Sequence, residues 1–224
     1  MFIGHYAVAF AAKKAVPKVS LGTLFLSAQL VDLLWPFFLL IGIEHVRIQS
    51  GNTAFTPLDF YDYPITHSLV GSIAWSIIFG TIYYLIKKEI RTSLILGGIV
   101  FSHWILDLIV HRPDLSLGFG SNVYVGLGLW NSVPGTIITE LVLFLGGIFL
   151  YLRTTSSRDG IGRYGFWSFI VVILLIYVMN AFGPPPPDAS SIAIIGNAAW
   201  LFVLWAYWFD RHRVVVHPEL SGRE

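Results

Sequence analysis

Six stretches of this 224-residue chain are apolar and long enough to cross a bilayer, approximately residues 20–43, 66–86, 92–111, 135–153, 164–182 and 191–210. A helix needs about 20 apolar residues to cross a ~30 Å hydrocarbon core. Composition agrees: charged residues are 12% of the chain and hydrophobic ones 55%, whereas soluble domains carry about 25% charged residues. The expected fold is therefore all-α, a polytopic membrane bundle of about six transmembrane helices. Residues 2–14 are too short to span and are expected to form a half-buried or interfacial N-terminal half-helix. Residues 1–210 form one transmembrane domain, followed by a short tail, 211–224. Lys13 and Lys14 follow the first apolar stretch, where a signal peptide would have basic residues before it. The N-terminus is expected to stay in the mature protein.

Turn chemistry supports the boundaries. Pro64 and Thr66 open the second span, Ser132 and Pro134 the fourth, and GPPPPD at 183–188 breaks the chain before the sixth. The glycine-rich loop 118–130 lacks the GK[ST] ending of a phosphate-binding loop. A net charge of +1 offers no basic field for nucleic acid. With no cysteine, disulfides and thiolate metal sites are excluded.

Orientation comes from the basic residues. Lys13, Lys14, Lys18, Lys87, Lys88, Arg91, Arg153, Arg158, Arg163, Arg211, Arg213 and Arg223 all fall on one side of the predicted spans. Only Arg47 and Arg112 fall on the other. Loops 44–65, 112–134 and 183–190 are expected to face outward and the C-terminus the cytoplasm, in a cell inner membrane.

Three acids lie inside predicted spans: Asp32, Asp107 and Glu140. A charge at mid-membrane costs roughly 2.5–3.5 kcal/mol on insertion scales, so such groups need partners and a purpose. In FSHWILDLIVHRPD (101–114), His103, Asp107 and His111 are spaced four apart. Each step of four turns 40° around a helix, which makes one polar stripe on an apolar helix. By depth, Asp32, His67 and Glu140 approach the same outer half of the bilayer from other helices, and His5 joins them if segment 2–14 is inserted. A single buried histidine is more often a packing residue than a ligand; several buried ionisable groups at one depth call for a shared reason. His45, His212 and His217 fall in loops or the tail and are expected to be solvated. The tryptophans and tyrosines are expected to be interfacial anchors and core.

GHYAVAF (4–10), LVDLLWP (30–36), PITHSL (64–69) and FSHWILD (101–107) occur in that order. Together they resemble the YdjM-like group of membrane-bound metal-dependent hydrolases, over roughly residues 1–111. The resemblance implies metal binding at His5, Asp32, His67, His103 and Asp107. Asp32 stands alone where that group often has two acids; Glu140 or His111 is our candidate replacement. The group is distantly similar to zinc-dependent phospholipases C and P1-type nucleases, which implies phosphoester hydrolysis and, in a membrane, a lipid phosphate substrate.

The expected activity is thus a membrane-embedded metal-dependent hydrolase acting on a lipid phosphate or phosphodiester near the outer face. Its cofactor would be zinc, with manganese or magnesium as alternatives, in one to three ions. His5, Asp32, His67, His103, Asp107 and His111 are the candidate ligands. Asp107 or Glu140 is the candidate general base, Arg112 the candidate phosphate contact, and Ser68 and Ser102 adjoin ligands as candidate supporting donors. The alternatives are a transporter or ion-conducting protein using the same cluster, a haem protein with His67 and His103 as axial ligands, and a purely structural membrane protein. A reporter fused at the C-terminus should read cytoplasmic; an outside signal would invert the topology.

Overall fold

The computed structural model describes residues 1–216. Five helices are long and apolar enough to cross a membrane, or six if one bent pair counts as a single span. In chain order the helices are α1 (Ile3–Ala12), α2 (Leu21–Ala28), α3 (Leu30–Leu40), α4 (Pro64–His67), α5 (Leu69–Lys87), α6 (Ile90–Val110), α7 (Val133–Thr154), α8 (Gly160–Phe182), α9 (Ala189–Asn197) and α10 (Trp200–Asp210). Short antiparallel strand pairs decorate both ends. At one end lie β1 (His45–Ile48) with β2 (Leu58–Asp62) and β3 (Leu115–Ser116) with β4 (Tyr124–Val125). At the other, β5 (Thr155–Ser157) pairs with β6 (Arg213–Val215).

The N-terminal half-helix is the centre of the bundle. Ile3, Gly4, His5, Tyr6, Ala7, Ala9 and Phe10 of α1 are all buried. Its small residues explain how it fits: a Cβ added to Gly147 on α7 would lie 2.4 Å from the Ala7 carbonyl oxygen, so the two helices meet backbone to backbone. Phe10 fills the space below, with ring centroids 5.1 Å from Phe25, 5.3 Å from Tyr151 and 6.0 Å from Phe144 and Phe166. Such tilted and edge-to-face pairs add about 0.5–1.5 kcal/mol each beyond their buried area. Segment 2–14 is therefore not interfacial: protein covers it, so its ten helical residues need not reach across the lipid.

The first predicted span is broken. α2 and α3 meet at a 57° bend, where Gln29 leaves helical geometry at φ −103°, ψ 4°. Pro36 further weakens α3 by removing an amide donor. Irregular backbone at membrane depth persists only where protein satisfies it, and here the Ala28 carbonyl accepts the Nδ1–H of His103 at 2.8 Å.

The basic end is pinned by buried charge. Lys13 Nζ lies 2.8 Å from both Asp210 Oδ2 and the Val19 carbonyl, while Asp210 also accepts the Leu21 amide and the Tyr151 hydroxyl. One carboxylate thus ties α1, α2, α7 and α10. The expected free tail is folded over residues 211–216: Arg213 lies between the Tyr151 and Phe166 rings and donates to Thr155, Ser157 and the Gly162 carbonyl. His212 pairs with Asp159, whose pKa the Gly162 amide and then His212 hold below the usual carboxylate range. His217 lies outside the described residues. Asp210→Ala should strand the buried Lys13 and cost about 3–5 kcal/mol, read as a lower unfolding temperature in detergent. A change no larger than that of the exposed Lys18→Ala would show that the pair adds no stability.

Candidate metal centre

Four separate stretches of chain bring His5, Asp32, His67, His103 and Asp107 together. Two overlapping triads have ligand atoms all within 4.8 Å of one another: His5, His103 and Asp107, and Asp32, His67 and His103. His103 Nε2 lies 3.2 Å from Asp107 Oδ2 and 3.5 Å from Asp32 Oδ1. His67 Nε2 lies 3.3 Å from Asp32 Oδ1 and 3.9 Å from Asp107 Oδ2. His5 Nε2 approaches the other Asp107 oxygen at 3.1 Å, and its ring stacks on His103 with centroids 3.5 Å apart and planes 4° from parallel.

His103 and His67 are each oriented from behind. The Ala28 carbonyl can only accept, so the His103 proton there is fixed on Nδ1 and Nε2 is turned inward. That Nε2 is buried without a hydrogen-bond partner. For His67 the orienting group is Thr66, whose hydroxyl lies 2.6 Å from Nδ1 and donates to Glu44 Oε2 at 2.7 Å. A hydroxyl has one proton. Once Glu44 takes it, Thr66 accepts from His67 Nδ1–H, which leaves Nε2 facing Asp32. Glu44 Oε1 meanwhile accepts the Ile65 and Thr66 amides, holding the short helix α4 in place.

The interior thus presents imidazole nitrogens to two carboxylates, an arrangement that needs a cation between them, whether a proton or a metal. The spacing suits a metal. Ligands about 2.0–2.2 Å from a tetrahedral ion sit roughly 3.3–3.5 Å apart, and most of the N···O separations above lie near that. The donor set, imidazole plus carboxylate without thiolate, accommodates zinc or manganese. His103 can supply only one ligand atom, because its Nδ1 is committed. Asp107 has an oxygen on each side, one toward His5 and the other toward His103 and His67. The Met1 amino group also lies 2.5 Å from Asp107 Oδ1. Asp32 is the open wall of the site: 36% of its side chain is exposed, against 1–7% for its neighbours His103, Asp107 and His67.

The remaining sequence candidates sit elsewhere. Helix α6 stops at Val110 and His111 turns to extended backbone at ψ 145°, two residues before Pro113. The predicted stripe therefore ends at Asp107. His111 pairs instead with Asp114 at 2.9 Å and packs against Trp130, apart from both triads. Burial lowers its pKa, while burial and Asp114 hold the neighbouring Tyr63 phenol protonated. Arg112 is engaged by Asp59 and Asp114. Glu140 Oε2 accepts the Phe2 and Gly4 amides at the start of α1, while its Oε1 has no partner. Ser68 caps α5 through the Gly71 amide, and Ser102 donates to the Ile99 carbonyl, so neither supports a candidate ligand. His45 is half-exposed and paired with Asp62.

The supporting groups that the sequence left unread are Glu44, Thr66 and the Ala28 carbonyl. Thr66 at least adjoins His67 in PITHSL; Glu44 is a loop acid 21 residues from Ile65 with no local signal. Thr66→Val keeps the volume but removes the relay to His67. It should weaken zinc binding about 10–100-fold, measured by competition with a chromophoric chelator, and Thr66→Ser should restore it.

No family, curated protein or solved structure compared with the chain matches it.

Proposed function

We propose that this chain is a membrane-embedded metal-dependent hydrolase acting on a lipid phosphate or phosphodiester, with its site toward the outer leaflet. The observation that carries this reading is the convergence of His103 Nε2 and His67 Nε2 on Asp32 and Asp107, at separations of 3.2–3.9 Å, with each imidazole oriented from behind. The resemblance of the four motifs to membrane-bound hydrolases points the same way, and the twelve-to-two split of basic residues supports the orientation.

A zinc-type ion bound here supplies Lewis acidity and lowers the pKa of its water toward 7. The chain's own contribution is positional. His67, His103, Asp32 and Asp107 would hold the ion, with His5 on the far oxygen of Asp107. The partly exposed Asp32 wall is where water and a phosphoester reach the cluster. Glu140 keeps one oxygen without a partner, whereas Asp107 is engaged on both oxygens, so Glu140 rather than Asp107 would be the group left free to accept a proton. Arg112 would reach a phosphate only by leaving Asp59 and Asp114.

One feature favours a second reading. The 57° break between α2 and α3 falls three residues before Asp32, and discontinuous helices beside intramembrane acids recur in ion-coupled transporters. The two readings separate in reconstituted liposomes. Hydrolysis predicts metal-dependent release of product from lipid phosphoesters, with stoichiometric zinc or manganese in the purified protein. His103→Ala and Asp107→Asn should each lose metal and activity together. Wild-type metal content in both variants would refute this ligand set, and folded, metal-supplemented protein that stays metal-free would count against hydrolysis.

A further inference from the structure

The bundle end opposite the metal centre carries a second recess. A groove of ≈ 500 Å³ lies between the turn after α1, the last turns of α7 and the end of strand β6. Among the described residues its walls include Pro17, Phe149, Val215 and Val216, its two charged residues are Lys14 and Arg153, and no carboxylate lines it. Phe149 and Val216 are exposed, at 59% and 45%, so the apolar wall opens outward to the bundle's surface.

These two cations differ from their neighbours. Lys13 is buried against Asp210, and Arg213 is enclosed by Tyr151 and Phe166; both hold the fold together. Lys14 and Arg153 make no ion pair among the described residues. The Arg153 guanidinium instead lies 5.5 Å above the Phe149 ring, which holds the charge at the groove wall. Arg153 lies in the last turn of the long, mostly apolar helix α7, where a spanning helix reaches the level at which lipid head groups meet hydrocarbon. The groove therefore offers two positive charges beside an exposed apolar wall. That combination matches an amphiphile with an anionic head and acyl tails. Basic pockets between helices at the cytoplasmic interface bind anionic lipid head groups in this way.

We propose that this groove is a binding site for the phosphate head group of an anionic membrane lipid, its acyl chains lying against Phe149 and Val216. The site is separate from the metal centre and does not depend on the hydrolase reading.

The test is lipid binding by the full-length protein in neutral detergent, followed by native mass spectrometry and by thermal protection on titration with phosphatidylglycerol. Phosphatidylcholine and inorganic phosphate are titrated in parallel. The titrations are repeated in an E219Q/E224Q background, in which the tail keeps only its terminal carboxylate. Phosphatidylglycerol should bind and protect more strongly than phosphatidylcholine. Lys14→Gln with Arg153→Gln should weaken that binding about 30-fold, at about 1 kcal/mol per basic residue, while Lys87→Gln with Lys88→Gln changes it little. Either single substitution, expected to cost about fivefold, serves if the double variant does not fold. Equal binding of the two lipids, equal loss in the Lys87/Lys88 control, or full protection by inorganic phosphate alone would each overturn the proposal.

Discussion

The rest of the structure is arranged around the need to give buried charge a partner. His103 illustrates it. Its Nδ1–H is held by the Ala28 carbonyl, and its Nε2 is directed at Asp32 and Asp107. The carbonyl is available because α2 ends there and α3 departs at 57°. In hydrocarbon an unpaired carbonyl costs several kcal/mol, so the break and the histidine are mutually dependent. The break turns Asp32 toward α6, and α6 supplies the donor that makes the break tolerable. His67 is held by the same logic on the opposite side, through Thr66 and Glu44.

The bundle is built to bring these pieces to one depth. α1 is short because it does not cross the membrane; it fills the middle of the bundle and delivers His5 beside Asp107. Glycine at position 147 lets α7 lie directly on the α1 backbone, and Glu140 on the same helix caps the start of α1. At the far end Asp210 gathers four helices through one carboxylate. Both ends of α1 are thus anchored by acids from neighbouring helices, which holds the small, aromatic-rich core between them.

Polar groups outside the cluster sort by the same criterion. His111, Tyr63 and Asp114 satisfy one another, and Arg112 with Arg47 satisfies Asp59. These groups lie at the β1–β2 and β3–β4 end of the bundle. Inside the cluster two imidazole nitrogens, His103 Nε2 and His5 Nδ1, have no hydrogen-bond partner. Unpartnered indole, amide and phenol groups also occur outside the cluster, but among the described residues only in the cluster does an unpartnered imidazole nitrogen face carboxylates, and that marks the place where chemistry is to be sought.

Sequence alone determined the all-helical class and the number of spans to within the bent pair; depth pointed to Asp32, His67, His103, Asp107, His111 and Glu140, with His5 if its segment inserts, and the motif resemblance narrowed these to His5, Asp32, His67, His103 and Asp107. It did so because hydrocarbon imposes long apolar helices, and because an ionisable residue within one is conspicuous. Tertiary structure decided the rest. Helical periodicity extended the polar stripe to His111, but Pro113 and the pull of Asp114 end the helix a residue earlier. Hydropathy made 20–43 one span and could not show the break at Gln29, since that break is held by a histidine 74 positions away. Nor could local pattern reveal Glu44 behind His67, or the central position of α1. Those depend on which distant surfaces meet, and a backbone carbonyl or a loop carboxylate acquires its role only when the fold places a donor against it.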